Sequence, residues 1–156
     1  HGGSIRIYIK KDKKVKIETS VKKMLKDEER FGIKDFTTYK KFGEKVYEIK
    51  KNVLSNIKKL KEKNKSIIGY GAPAKATTAL NFFGITNEID FIVEDNKLKH
   101  NKFVPGVKIP IKNKSQIKSK KNILLVLAWN FYDDIKKNNS NLSENFVNIK
   151  DLEVNN

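Results

Sequence analysis

The chain contains no cysteine. Disulfide staples and thiolate metal sites are therefore excluded. Its two histidines, His1 and His100, are isolated from one another and cannot build a metal site, so no metal is expected in this piece. Arginine is nearly absent too, with Arg6 and Arg30 alone among 34 basic residues. Base recognition and bidentate phosphate clamps favour Arg over Lys. The net charge of +16 is accordingly read as a lysine-rich solvated face, and a nucleic-acid partner is not expected. No run of about 18 apolar residues occurs, and the opening lacks the charged-then-apolar order of a secretory signal. These absences point to a cytoplasmic location with no membrane partner. The chain opens on His1 and not on Met, and is read as a piece of a longer protein.

What is present suits one domain. With 156 residues, 38% of them hydrophobic and 33% charged, the chain can bury a single core but has no room for a second full domain. Ser4 to Ile9 (SIRIYI) alternates with the period of a half-buried strand, its apolar face formed by Ile5, Ile7 and Ile9. From Ser20, a candidate N-cap, Val21, Met24, Leu25 and Glu28 fall at helical intervals, and Gly32 closes the helix. Tyr39, Phe42, Val46, Ile49, Val53, Ile57 and Leu60 predict a second helix over 35–63, about 40 Å long, with this stripe facing a core.

After Ser66 the character changes. SIIGY (66–70) reads as a buried strand, 71–73 as a tight turn, and 74–83 as a helix closed by Gly84. IDFIV (89–93) gives a second buried strand with Glu94 and Asp95 at its carboxyl end. Residues 96–108 read as a polar loop too irregular to join the core. NILLVLA (122–128), the most hydrophobic segment, is the expected central parallel strand. Trp129, Asn130 and a helix from about Phe131 follow it, and 146–149 form a last short strand. Alternation of strand and helix predicts an α/β, Rossmann-like, mainly parallel sheet with flanking helices, preceded by the N-terminal strand and two helices.

One turn carries a chemical signal. Gly69, Tyr70, Gly71, Ala72, Pro73 and Ala74 match the G-x-G-x-x-[G/A] turn of dinucleotide-binding folds, with Glu94 near the usual place of a ribose-binding acid. Such a turn lets backbone approach a phosphate at a helix N-terminus. Lys75 in the first helical turn opposes the helix dipole unless an anion sits nearby. Pro73 suits a helix start but removes one N–H donor from the cradle. A tight βα turn without a ligand explains the same glycines.

The stretches GYGAPAKATTALNFFGI (69–85), IDFIVEDNKLKHNKFVPGVKIPI (89–111) and LLVLAWNF (124–131) resemble the C-terminal domain of SAM-dependent sugar C-methyltransferases. So does the opening HGGSIRIYI (1–9), which looks like the segment that leaves the methyltransferase domain in that family. The resemblance implies a three-part enzyme. A zinc-binding N-terminal domain and a SAM-binding domain would precede this Rossmann-like domain, which closes over a nucleotide-linked deoxysugar. S-adenosylmethionine would be held by the missing domain, no cofactor by this piece, and residues 1–18 would belong to the connection, with 19–156 as the domain proper. His1 would lie in the active site beside a preceding Glu, as a candidate base for the proton next to the sugar's ketone. Cut from its sheet, the Ser4 to Ile9 strand would be open to self-association.

Further substrate-side candidates are Arg6, through its guanidinium, and Asp95, Asn96, Trp129 and Asn130, which lie beyond the carboxyl ends of predicted strands. Arg6 could equally be an exposed strand residue, and Trp129 a cap on the core. His100 is read as a surface residue. Two other classes stay open: a free-standing NAD-like oxidoreductase or regulatory domain, favoured by the glycine turn and Glu94, and a basic nucleic-acid module, favoured by charge alone.

Overall fold

The computed structural model describes residues 3–12, 14–62 and 66–154. His1 lies outside the described residues. The chain divides into two compact units, one up to Tyr47 and one from Glu48 onward, so the division falls inside a long helix.

In the first unit the expected strand over 4–9 does not form. These residues join no ladder among the described residues, and Ile5, Ile7 and Ile9 are all exposed. Alternation marks a segment that could lie in a sheet; a strand exists only when a neighbour takes up its N–H and C=O groups. Helix α1 spans Thr19–Phe31, and its N-cap is Glu18 and not Ser20, with no side-chain capping bond. Its other end behaves as expected: Gly32 turns left-handed at φ 80° and donates its N–H to the carbonyls of Glu28 and Glu29. No α1 residue is buried. Beside it lies an apolar groove of about 410 Å³ lined by Ile5, Ile7, Tyr8, Val21, Met24 and Leu25.

Helix α2 spans Phe36–Glu62. Its stripe is core-facing only in part. Tyr39 and Phe42 are exposed, whereas Val53 and Ile57 are fully buried and Ile49, Leu54 and Leu60 pack beside them. Helical spacing makes a continuous face, but a face is buried only where another layer covers it.

The second unit is a five-stranded sheet, β1 (Ile67–Tyr70), β2 (Phe91–Val93), β3 (Ile111–Lys112), β4 (Ile123–Val126) and β5 (Asn145–Asn148). All pairings are parallel, in the order β3-β2-β1-β4-β5. The central strand is thus β1, and β4, expected at the centre, is its neighbour. Both are buried at every position because helices cover both faces, which is why they read as unbroken apolar runs. Ile67, Ile123 and Leu125 point to the layer that holds Val53 and Ile57 of α2 and Ala76 and Leu80 of α3 (Ala74–Phe83). The alternate residues Ile68, Tyr70, Leu124 and Val126 face Tyr132 and Ile135 of α4 (Tyr132–Asn138).

Gly84 ends α3 at φ 78°, as the sequence predicts. The segment between β2 and β3 is not the irregular surface loop expected. Phe103 bridges Pro110 in antiparallel fashion, the Val104 N–H bonds the Ile109 carbonyl at 2.9 Å, and Val104 and Ile109 are both buried. The polar composition of 96–108 hid one core position, Val104. At the chain's other end, Asn56 of α2 donates to the carbonyls of Leu152 (3.0 Å) and Val154 (2.8 Å), and Asn52 to that of Glu153 (2.9 Å), tying the last described turn to the helix. No helix among the described residues is long and apolar enough to cross a membrane.

Candidate functional site

In a sheet ordered β3-β2-β1-β4-β5 the chain reverses its winding between β1 and β4, and the crevice beyond their carboxyl ends is where such sheets receive ligands. An open cleft of about 290 Å³ lies there. Tyr70, Gly71 and Pro73 reach it from the end of β1, Glu94 and Asp95 from β2, and Ala128 and Phe131 from β4.

The glycines of the turn are explained by packing. A Cβ on Gly69 would stand 2.7 Å from Cγ1 of Ile92, inside the core. Gly71 has φ +86°, and its Cβ would meet that of Ala128 at 3.0 Å. Two N–H donors of the turn are also engaged. The Gly71 N–H bonds the Val93 carbonyl at 2.8 Å, and the Ala72 N–H bonds Oε2 of Glu94 at 2.9 Å. Pro73, the N-cap of α3, has none to give.

Glu94 is held on four sides. Beyond Ala72, its Oε2 accepts from Nζ of Lys99 at 3.2 Å, while Oε1 accepts the N–H groups of Asp95 at 3.0 Å and Asn96 at 3.2 Å. Lys99 also donates to the Ala72 carbonyl at 3.0 Å. Burial of Glu94 works against its ionisation, but the bonds from Ala72, Asn96 and Lys99 outweigh it and hold the carboxyl below its ordinary range. His100 is half-buried and not a surface residue, since its Nε2 lies 2.7 Å from the Glu94 carbonyl and donates to it.

A second network adjoins the first. Asp95 Oδ1 pairs with Nζ of Lys114 at 2.7 Å, and Oδ2 lies 3.0 Å from the Tyr70 hydroxyl. Asn139 Oδ1 accepts from Lys114 at 3.1 Å and stands 3.2 Å from the same hydroxyl. The bond from Lys114 lowers the Asp95 carboxyl against the opposing effect of burial, and the bond to Asp95 raises the Lys114 ammonium. Burial, then the bond to Asp95, pushes the Tyr70 phenol up.

Of the residues singled out in sequence, the fold brings Tyr70, Gly71, Pro73 and Asp95 to one cleft, with Asn96 bonded to Glu94 beside it, whereas Gly69 packs in the core and Ala72 is held by Glu94. Asn96 also caps the next turn through its side chain, which accepts from the Leu98 N–H. Trp129 and Asn130 open the 3₁₀ turn after β4, Trp129 half-buried and Asn130 exposed. Lys75 Nζ lies 5.7 Å from the centroid of the Trp129 ring. Arg6 sits in the first unit, exposed, its guanidinium 3.5 Å from the Tyr8 hydroxyl. Sequence reasoning missed Lys99, Lys114 and Asn139, whose partners come from other elements. Among the described residues, no group of three or more His, Asp or Glu side chains could hold a metal ion.

A parallel α/β sheet with its polar side chains gathered at the switch point defines a Rossmann-like domain. The chain belongs to the family of C-methyltransferase C-terminal domains, whose model matches residues 1–149. The C-methyltransferase NovU of Streptomyces niveus is 31% identical over 150 residues, covering 93% of this chain and 35% of that protein. The chain thus spans about a third of that relative's length.

Proposed function

We propose that this chain is the substrate-binding C-terminal domain of a SAM-dependent C-methyltransferase that acts on nucleotide-linked deoxysugars, and that alone it transfers no methyl group. The observation that carries the reading is the family match over residues 1–149, joined to a polar cleft at the switch point of the sheet. Asp95, Asn96, Trp129 and Asn130 would meet the substrate along that edge, together with Lys75 and the glycine turn, and Arg6 of the first unit would be a further substrate contact in the whole enzyme. His1 would act in the whole enzyme, taking and returning the proton next to the sugar's ketone, because an imidazole titrates near neutral pH.

The residues present do not fit S-adenosylmethionine. The single glycine turn spends its donors at positions 71 and 72 inside the protein, and Gly69 has no space above it. The methyl donor would therefore be held by a preceding SAM-binding domain, with a zinc-binding domain further upstream, in a cytoplasmic enzyme. Residues 4–9, which join no ladder among the described residues, would return to a sheet of that domain or pair with a second copy. The alternative of a free-standing NAD-like oxidoreductase needs Glu94 for a ribose, and that carboxylate is turned onto Ala72.

Methyl transfer from labelled SAM to a nucleotide-linked keto deoxysugar tests the proposal. The longer protein transfers the label and the 156-residue chain alone does not; in equilibrium dialysis the chain retains the nucleotide sugar but neither SAM nor NAD. Retention of NAD or SAM, without the nucleotide sugar, would overturn it.

A further inference from the structure

In nucleotide-binding α/β folds the N–H groups of the glycine turn face a phosphate. Here the corresponding place is taken from within. A carboxylate offers the same chemistry as a phosphate oxygen to an N–H donor, and Glu94 presents one oxygen to Ala72 at 2.9 Å and the other to Asp95 and Asn96 at 3.0 and 3.2 Å. Its side chain is only 14% exposed, and its charge is balanced by Lys99 at 3.2 Å, which also binds the carbonyl of Ala72. The carboxylate therefore bridges two segments that are 22 residues apart, the turn after β1 and the start of the excursion after β2. His100 closes the arrangement by donating to the Glu94 carbonyl at 2.7 Å.

We propose that Glu94 is the resident anion of the glycine turn, a positioning residue that anchors the segment from Asp95 to Lys112 at the ligand edge and denies the turn to a nucleotide phosphate. This goes beyond the C-methyltransferase reading and does not rest on it: the turn is closed to phosphate whichever substrate the edge receives. Any diphosphate bound by this domain lies outside the turn, against side-chain cations of the rim.

Amide NMR spectra of the 156-residue chain, titrated with inorganic pyrophosphate and with NAD, test the assignment. In the unaltered chain the Ala72, Asp95 and Asn96 amides stay in place at millimolar concentrations of either. In Glu94→Ala the vacated turn accepts pyrophosphate, its apparent affinity at the Ala72 amide rising by roughly tenfold or more. Glu94→Gln keeps a side-chain acceptor for Ala72 but no charge, and shifts the Asp95 and Asn96 amides while the chain stays folded. Movement of the Ala72 amide by pyrophosphate or NAD in the unaltered chain, with saturation, overturns the proposal. So does a Glu94→Gln spectrum identical to the parent at all three amides.

Discussion

Nζ of Lys114 lies 2.7 Å from Oδ1 of Asp95, joining the turn that follows β3 to the carboxyl end of β2. The two strands are neighbours in the sheet, so the pair closes the cleft's rim across an edge that β3, two residues long, holds weakly by backbone alone. Asn139 and Tyr70 extend the contact to α4 and β1.

That pair is half in solvent, with the Lys114 side chain 39% and the Asp95 side chain 60% exposed, so screening keeps its worth small. Lys114→Met should lower stability by no more than about 1 kcal/mol, read from urea unfolding at neutral pH. Adding salt should shrink the difference between the two proteins.

Glu94 and Asp95 both have carboxyl groups held below their ordinary values in the folded protein. A depressed folded value means that the charged form contributes stability above the unfolded value of about 4, and that this is lost as pH falls through the lower folded value. Lys99 faces the Glu94 carboxylate, and Lys114, Tyr70 and His100 act on that of Asp95. Stability measured from pH 6 down to pH 2 (about, and by thermal melting) should fall most steeply below about pH 4, and Glu94→Gln should flatten that fall. For Lys114, raised in the fold, the contribution is present below its unfolded value of about 10.4 and disappears as pH rises past the folded one.

Gly69 has no room for a side chain. Gly69→Ala places a methyl against Ile92 and Leu127 in a closed core and should destabilise by about 1–3 kcal/mol in denaturant unfolding. Gly71→Ala loses stability by another route, the left-handed φ of +86°, with a cost of about 1 kcal/mol or more. If either replacement raised stability, the packing account of the turn would fail.

Asn56 is buried, and its amide satisfies two carbonyls of the last described turn. Asn56→Ala leaves both without that donor and should cost about 1–3 kcal/mol. Hydrogen exchange should speed up at residues 149–154 more than in β1 or β4, which separates local release of the chain end from general loosening.

Lys75 stands over Trp129, in the turn that follows β4. In the proposed enzyme Lys75→Ala should weaken the nucleotide sugar by up to about fivefold in calorimetric titration of the longer protein, with the melting temperature nearly unchanged. Equal affinities would place the substrate's anionic part away from Lys75.

Much of the fold was legible. The bounds of α3 with Gly84 after it, Gly32 after α1, and the buried runs of β1 and β4 all follow from local spacing and from glycine's freedom at positive φ. The site was legible as a place, beyond the strand ends, but not as a set of bonds. Glu94 reads in sequence as an acid waiting for a ribose, and only its fold shows that Ala72 already holds it. Lys114 has no signal of its own in a chain with so many lysines.

By itself the sequence determined the alternation of strands and helices, the parallel class of the sheet, and the tight turn after β1. Each depends on periodicity or on one residue's backbone preference, which neighbours in the chain express without help. Only the tertiary structure decided that β1 lies at the centre, that residues 4–9 find no ladder, that α2 buries one half of its stripe, and that Glu94 closes the glycine turn. The reason is physical: hydrogen bonds and burial need a second surface, and which distant segment supplies it is set by how the layers pack and not by local sequence.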